Sequence, residues 1–97
     1  MEAARARELI SAIPEWEMIE DATRIRRKLT FASFPAAIEF VERVAVIAEE
    51  EGHHPDFLIS YRGVDVVLYT HVIGGLHEND FIVAAKIDRL VGDRDQG

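Results

Sequence analysis

The sequence predicts an α+β fold in the order α-β-β-α-β-β-α, with a four-stranded antiparallel sheet and helices packed on one of its faces. Three stretches carry apolar residues at helical spacing, and between them lie two pairs of short, β-rich segments. Length supports the same reading. A chain of 97 residues has room for one hydrophobic core, so residues 1–97 are expected to form a single domain.

In the first helix, expected from Glu2 to Ile13, Ala3, Ala6, Leu9, Ile10 and Ile13 make one stripe and Pro14 ends it. Two strands follow, Trp16 to Ile19 and Thr23 to Thr30, separated by Glu20, Asp21 and Ala22. Arg24, Arg26 and Lys28 alternate with Ile25 and Leu29, which turns a charged face to water. Ser33 is placed to cap a long helix from Pro35 to Glu51, because proline in a first turn lacks only an N–H that had no partner. That helix carries one apolar stripe through Ala37, Ile38, Val41, Val44, Ala45 and Ala48, and a second through Phe40, Val44 and Ile47. Two stripes fit either a wide core face or a subunit contact.

After Gly52, a hairpin is expected from a strand Phe57 to Tyr61, a two-residue turn Arg62-Gly63, and a strand Val64 to His71. Gly74-Gly75 breaks the strand pattern. The closing helix is marked by Phe81, Ala84, Ala85, Ile87, Asp88, Leu90 and Val91, and the polar tail Gly92 to Gly97 is expected to fray.

Composition narrows function. With 18 acidic and 11 basic side chains the net charge is -7, which repels phosphate backbones and anionic lipid, so neither nucleic acid nor membrane is an expected direct partner. The absence of cysteine excludes disulfides and thiolate chemistry. No apolar run suggests a membrane span or secretory signal, and a cytoplasmic location is expected. A core this small favours self-association.

All four histidines fall between positions 53 and 77. If Arg62 and Gly63 are the hairpin loop, Tyr61 opposes Val64 and His54 opposes His71, with His53 the alternative partner after a one-residue shift. Glu49, four residues before His53, and Asp80, nine after His71, flank the cluster. Carboxylates reaching imidazole N–H groups fix the tautomer and favour the protonated ring, which suits proton transfer near neutrality. A zinc site built from three imidazoles and Glu49 is the competing reading. It is opposed by the lack of HExxH spacing and by adjacent strand residues pointing to opposite faces. No nucleophile elbow or phosphate loop is present.

Glu49, His53-His54-Pro55, Tyr61, His71 and Asp80, at these spacings, resemble the pterin-4a-carbinolamine dehydratase family. Trp16, the Phe34 to Ala48 segment and Gly75-Leu76 extend the resemblance along nearly the whole chain. The resemblance implies dehydration of a 4a-hydroxytetrahydropterin to a quinonoid dihydropterin, with no metal and no cofactor, in recycling of a tetrahydrobiopterin-type cofactor for a pterin-dependent hydroxylase. It implies that His53 and His71 are the acid/base pair, in either order, that His54 orients the pterin, and that Glu49 and Asp80 support them. By the same analogy Tyr69, Thr70, His71 and Val72 border the pterin edge, Pro55 is among the substrate-binding residues, and Phe57 walls the pocket. Family members assemble as homodimers or homotetramers, and some act as transcription partners, so a non-enzymatic assembly role is the alternative. Two departures stand out. His77 replaces the usual serine or threonine cap, leaving the start of the last helix and Asp80 less defined, and Tyr69 is bulkier than the usual serine or threonine.

Overall fold

The structure, a computed structural model, describes residues 1–94. Its elements are α1 (Ala3–Ile10), β1 (Glu17–Ile19), β2 (Arg24–Thr30), α2 (Phe34–Glu51), β3 (Asp56–Ser60), β4 (Gly63–Leu68) and α3 (Glu78–Arg94). The expected order holds. The four strands are antiparallel in the order β1-β2-β4-β3, which puts the two hairpins side by side and leaves β1 and β3 as edges.

Alternation along the strands decides the faces. Ile25 on β2 and Val64, Val66 and Leu68 on β4 are buried, and they meet Ala6 of α1, Ala37, Phe40 and Val44 of α2, and Phe81, Val83, Ala84 and Ile87 of α3 in one cluster. Burying the valine, leucine, isoleucine and phenylalanine side chains among them stabilises the fold by about 1.5–3 kcal/mol each. The two expected stripes of α2 merge into one face. Ala37, Phe40, Val44 and Ala48 are buried, Val41 and Ile47 are half-buried, and Ala45 and Val46 are exposed.

Several boundaries differ from expectation. The first helix ends at Ile10, with Ser11 turning its hydroxyl onto the Glu8 carbonyl at 2.6 Å, although Ile13 still reaches the core. Trp16 precedes β1 and is buried, its indole N–H donating to Asp88 at 2.8 Å. Arg27 donates to the same Asp88 oxygen at 2.6 Å, tying the sheet to α3. The closing helix continues through Gly92 to Arg94 instead of fraying there, while residues 95–97 of the expected tail lie outside the described residues.

The second hairpin is corrected most. Its loop residues are Tyr61 and Arg62, with Tyr61 at φ 53°, and Gly63 belongs to the ladder, facing Ser60 on one side and Thr30 on the other. The neighbouring strand explains this: β2 pairs with β4 down to Gly63, and Phe31 N–H continues the contact by donating to the Arg62 carbonyl at 2.9 Å. β4 ends at Leu68, short of His71, so the expected opposition of His54 and His71 across a ladder does not form.

Candidate active site

The site is built where α2 ends, β4 runs out and α3 begins. Ser33 starts α2 by accepting the Ala36 N–H at 3.2 Å. Gly52 ends it in the left-handed conformation, φ 62°, which a glycine adopts without a Cβ penalty. The His53 N–H then donates to the Ala48 carbonyl at 3.0 Å, so the reversal of the chain itself delivers the His53-His54 pair.

On the other side, Thr70 forms an isolated bridge with Gly75 across the turn 71–74, and this turns His71 and Val72 outward. Gly52, His53, His54, Thr70, His71 and Val72 line one open cleft of about 330 Å³, a size typical of small-molecule sites. The structure brings His53, His54 and His71 to one cleft. They reach it through the end of α2 and a turn after β4, and not by cross-strand pairing.

The acids stand behind the imidazoles. Asp80 is fully buried, and one of its oxygens is bonded to His53 Nε2. Its other oxygen accepts from Thr70 Oγ1 at 3.0 Å and from the His77 N–H at 2.9 Å. A carboxylate has lone pairs for all three donors, so this buried charge is fully satisfied. A carboxylate only accepts, so Nε2 of His53 is the donor nitrogen of this contact. His54 Nε2 meets Glu49 Oε2 at 2.6 Å on the surface, five residues apart across the helix end. His71 is exposed, and its imidazole hydrogen-bonds to no side chain among the described residues.

The start of α3 is better defined than the His77 departure suggested. His77 is the cap residue: its Nδ1 accepts the Asn79 N–H at 3.1 Å while Asp80, three residues on, accepts the His77 N–H. This is the reciprocal geometry of a capping box, with an imidazole nitrogen in place of a hydroxyl. Arg5 adds a link from α1, donating to Glu8 at 2.7 Å and to Glu78 at 3.2 Å, and these hydrogen bonds hold its guanidinium above the ordinary arginine value.

Residues 1–90 match the sequence profile described as pterin 4 alpha carbinolamine dehydratase. The chain belongs to that family. A pterin-4-alpha-carbinolamine dehydratase by assigned name from Halorhodospira halophila is 47% identical over 90 residues, covering 93% of this chain and 83% of its own length. A like-named relative from Methylococcus capsulatus is 43% identical over 91 residues, covering 94% and 80%. Among solved structures, a transcriptional coactivator/pterin dehydratase from Brucella melitensis superposes with a TM-score of 0.86 at 30% identity, covering 92% of this chain and 95% of that one. A pterin dehydratase-like protein identified as a RuBisCO assembly factor in the alpha-carboxysome has the same fold, with a TM-score of 0.68 at 23% identity, covering 80% and 90%.

Within this dehydratase-family chain, two expected pocket residues lie elsewhere. Phe57 faces Val66 and packs against the core, so it does not wall the cleft. Pro55 leads into β3 outside the lining. Tyr69 borders the cleft only through His71, against which its ring is stacked. Arg24, in sequence only one of a row of water-facing charges, lies over Tyr69, and Asp88, in sequence only a marker of the last helix, accepts from Arg27. A charge at the last rung of a strand and an acid on a helix face look like ordinary solvated groups in a sequence.

Proposed function

We propose that this protein dehydrates a 4a-hydroxytetrahydropterin to the quinonoid dihydropterin and water by histidine acid/base catalysis. The observation that carries this reading is the convergence of His53, His54 and His71 on one cleft, with the buried Asp80 carboxylate behind His53. In the reaction the N5–H bond and the C4a–O bond break, an N5=C4a double bond forms, and the departing hydroxide is protonated to water. Proton transfers alone suffice, so the chain must supply a base near N5 and an acid near the C4a oxygen.

His53 and His71 divide these two tasks. Asp80 stabilises the imidazolium that His53 becomes whenever it holds the extra proton, and it keeps Nδ1 available for exchange. His71, exposed on the opposite wall, exchanges its proton with substrate or water. His54, tethered by Glu49, orients the pterin ring, and the Thr70 to Val72 turn offers backbone groups to the pterin edge. Homo-oligomerisation is part of this reading. Leu58 and Ile59 on edge strand β3 and Val46 on α2 are among the exposed apolar side chains that a second copy could cover, and a monomeric mass in light scattering contradicts it.

The test is formation of quinonoid dihydropterin from a 4a-hydroxytetrahydropterin, followed by ultraviolet absorbance. Acceleration over the buffer rate is expected. A rate equal to buffer overturns the enzyme and leaves the rival, a binding member of the same fold without chemistry.

A further inference from the structure

Each of the three cleft imidazoles has something that holds it. His53 has Asp80 and His54 has Glu49. His71 has neither a carboxylate nor a hydrogen-bonded side chain among the described residues, yet its ring is not free. It lies flat on Tyr69, with ring centroids 4.2 Å apart and planes inclined by only 10°. Arg24 covers the same tyrosine, its Cζ 3.8 Å from the ring centroid. One face of a phenol ring has room for one group at such distances, so His71 and Arg24 occupy opposite faces and Tyr69 is the middle layer of a stack.

The backbone accounts for this arrangement. Arg24 sits opposite Ile19 at the end of the β1-β2 ladder, and its neighbour Ile25 pairs with Leu68. Tyr69 therefore leaves the sheet directly opposite Arg24, one rung beyond the last pair, on the helix-free face. His71, the first residue of the turn closed by the Thr70–Gly75 bridge, brings its ring back to that side, against Tyr69. Offset aromatic stacking and a cation over a ring face are both attractive, and an arginine plane fits the second role well.

We infer that Tyr69 is the positioning residue for His71, and that Arg24 clamps Tyr69 in place. An exposed histidine without a partner samples several rotamers, and a proton-transfer group gains rate only when it is held within reach of the reacting atom. The catalytic half of this inference rests on the dehydratase reading. The structural half does not.

The experiment compares wild type with Tyr69→Phe, Tyr69→Ala, Arg24→Ala and Arg24→Lys, reading the His71 ring-proton shifts by nuclear magnetic resonance together with kcat and KM. In wild type the His71 ring protons are expected upfield, inside the shielding cone of Tyr69. Tyr69→Phe keeps that shift, because the stack needs the ring and not the hydroxyl. Tyr69→Ala loses the shift and lowers kcat by roughly tenfold with little change in KM. Arg24→Ala reduces the shift, and Arg24→Lys restores part of it. A shift that survives Tyr69→Ala overturns the stack, and a lost shift with unchanged kcat overturns the positioning role. Unchanged shifts and kcat in Arg24→Ala overturn the clamp. A wild type with no dehydratase activity overturns the proposed reaction and the catalytic half here, while the shifts of the five proteins still decide whether the stack holds His71.

Discussion

The buried carboxylate of Asp80 is bonded to the imidazole of His53, joining the first turn of α3 to the residue that follows the end of α2. Asp80 also accepts from Thr70 and from the His77 backbone, so one side chain orients a histidine, fastens the turn after β4 and caps a helix. Three elements meet on one acid.

Asp80→Asn separates the charge from the shape. The amide oxygen can still accept from the Thr70 hydroxyl and the His77 N–H, but the amide NH2 cannot accept from His53 Nε2, and the positive charge on a protonated His53 is no longer stabilised. A fall in kcat of about 100-fold is expected, with a loss of about 1–2 kcal/mol in urea unfolding because a charge-assisted hydrogen bond becomes neutral. A kcat equal to wild type removes Asp80 from the catalytic account.

His71→Ala tests the other wall. The side chain is exposed and has no hydrogen-bonded side-chain partner among the described residues, so removing it leaves the core untouched. The expected outcome is a kcat lower by about 100-fold with an unchanged unfolding midpoint. If the rate is retained, His71 is not one of the two proton-transfer groups.

The order of strands and helices along the chain and the cluster of histidines were legible because each rests on local patterning: period-2 alternation in Val64, Val66 and Leu68, and helical spacing in Ala37, Phe40, Val44 and Ala48. The hairpin register was not legible, for a physical reason. Moving the loop from Arg62-Gly63 to Tyr61-Arg62 slips the pairing by two residues, and an even slip leaves every side chain on its original face, so the apolar pattern fits both registers equally. The contact with β2 decides between them, and that contact is non-local. The same holds for Asp80, whose approach to His53 spans 27 residues, and for Arg24, whose tyrosine neighbour comes from the far hairpin. The His77 cap was underrated because an imidazole Nδ1 can accept an N–H as a hydroxyl does when the ring is suitably turned.

His77 therefore yields a stability prediction. His77→Ala removes the acceptor for the Asn79 N–H and is expected to cost about 1 kcal/mol in urea unfolding, while His77→Ser restores or exceeds wild-type stability. Equal stability of the alanine and wild-type proteins contradicts a capping role for this imidazole.

Asp88 makes the strongest stability prediction outside the cleft. It accepts from both Trp16 Nε1 and Arg27 Nη1, and the side chains of Arg27 and Asp88 are only 15% and 24% exposed. Asp88→Leu leaves a largely buried guanidinium and an indole N–H with no acceptor, so a loss of about 2–3 kcal/mol is expected, discounted for the remaining exposure. The double variant Arg27→Met with Asp88→Leu replaces both charges by apolar groups and recovers part of that loss, because the uncompensated guanidinium is gone. A double-mutant cycle by urea unfolding measures the coupling. Strictly additive losses at the two positions contradict the pairing as the bond that ties β2 to α3.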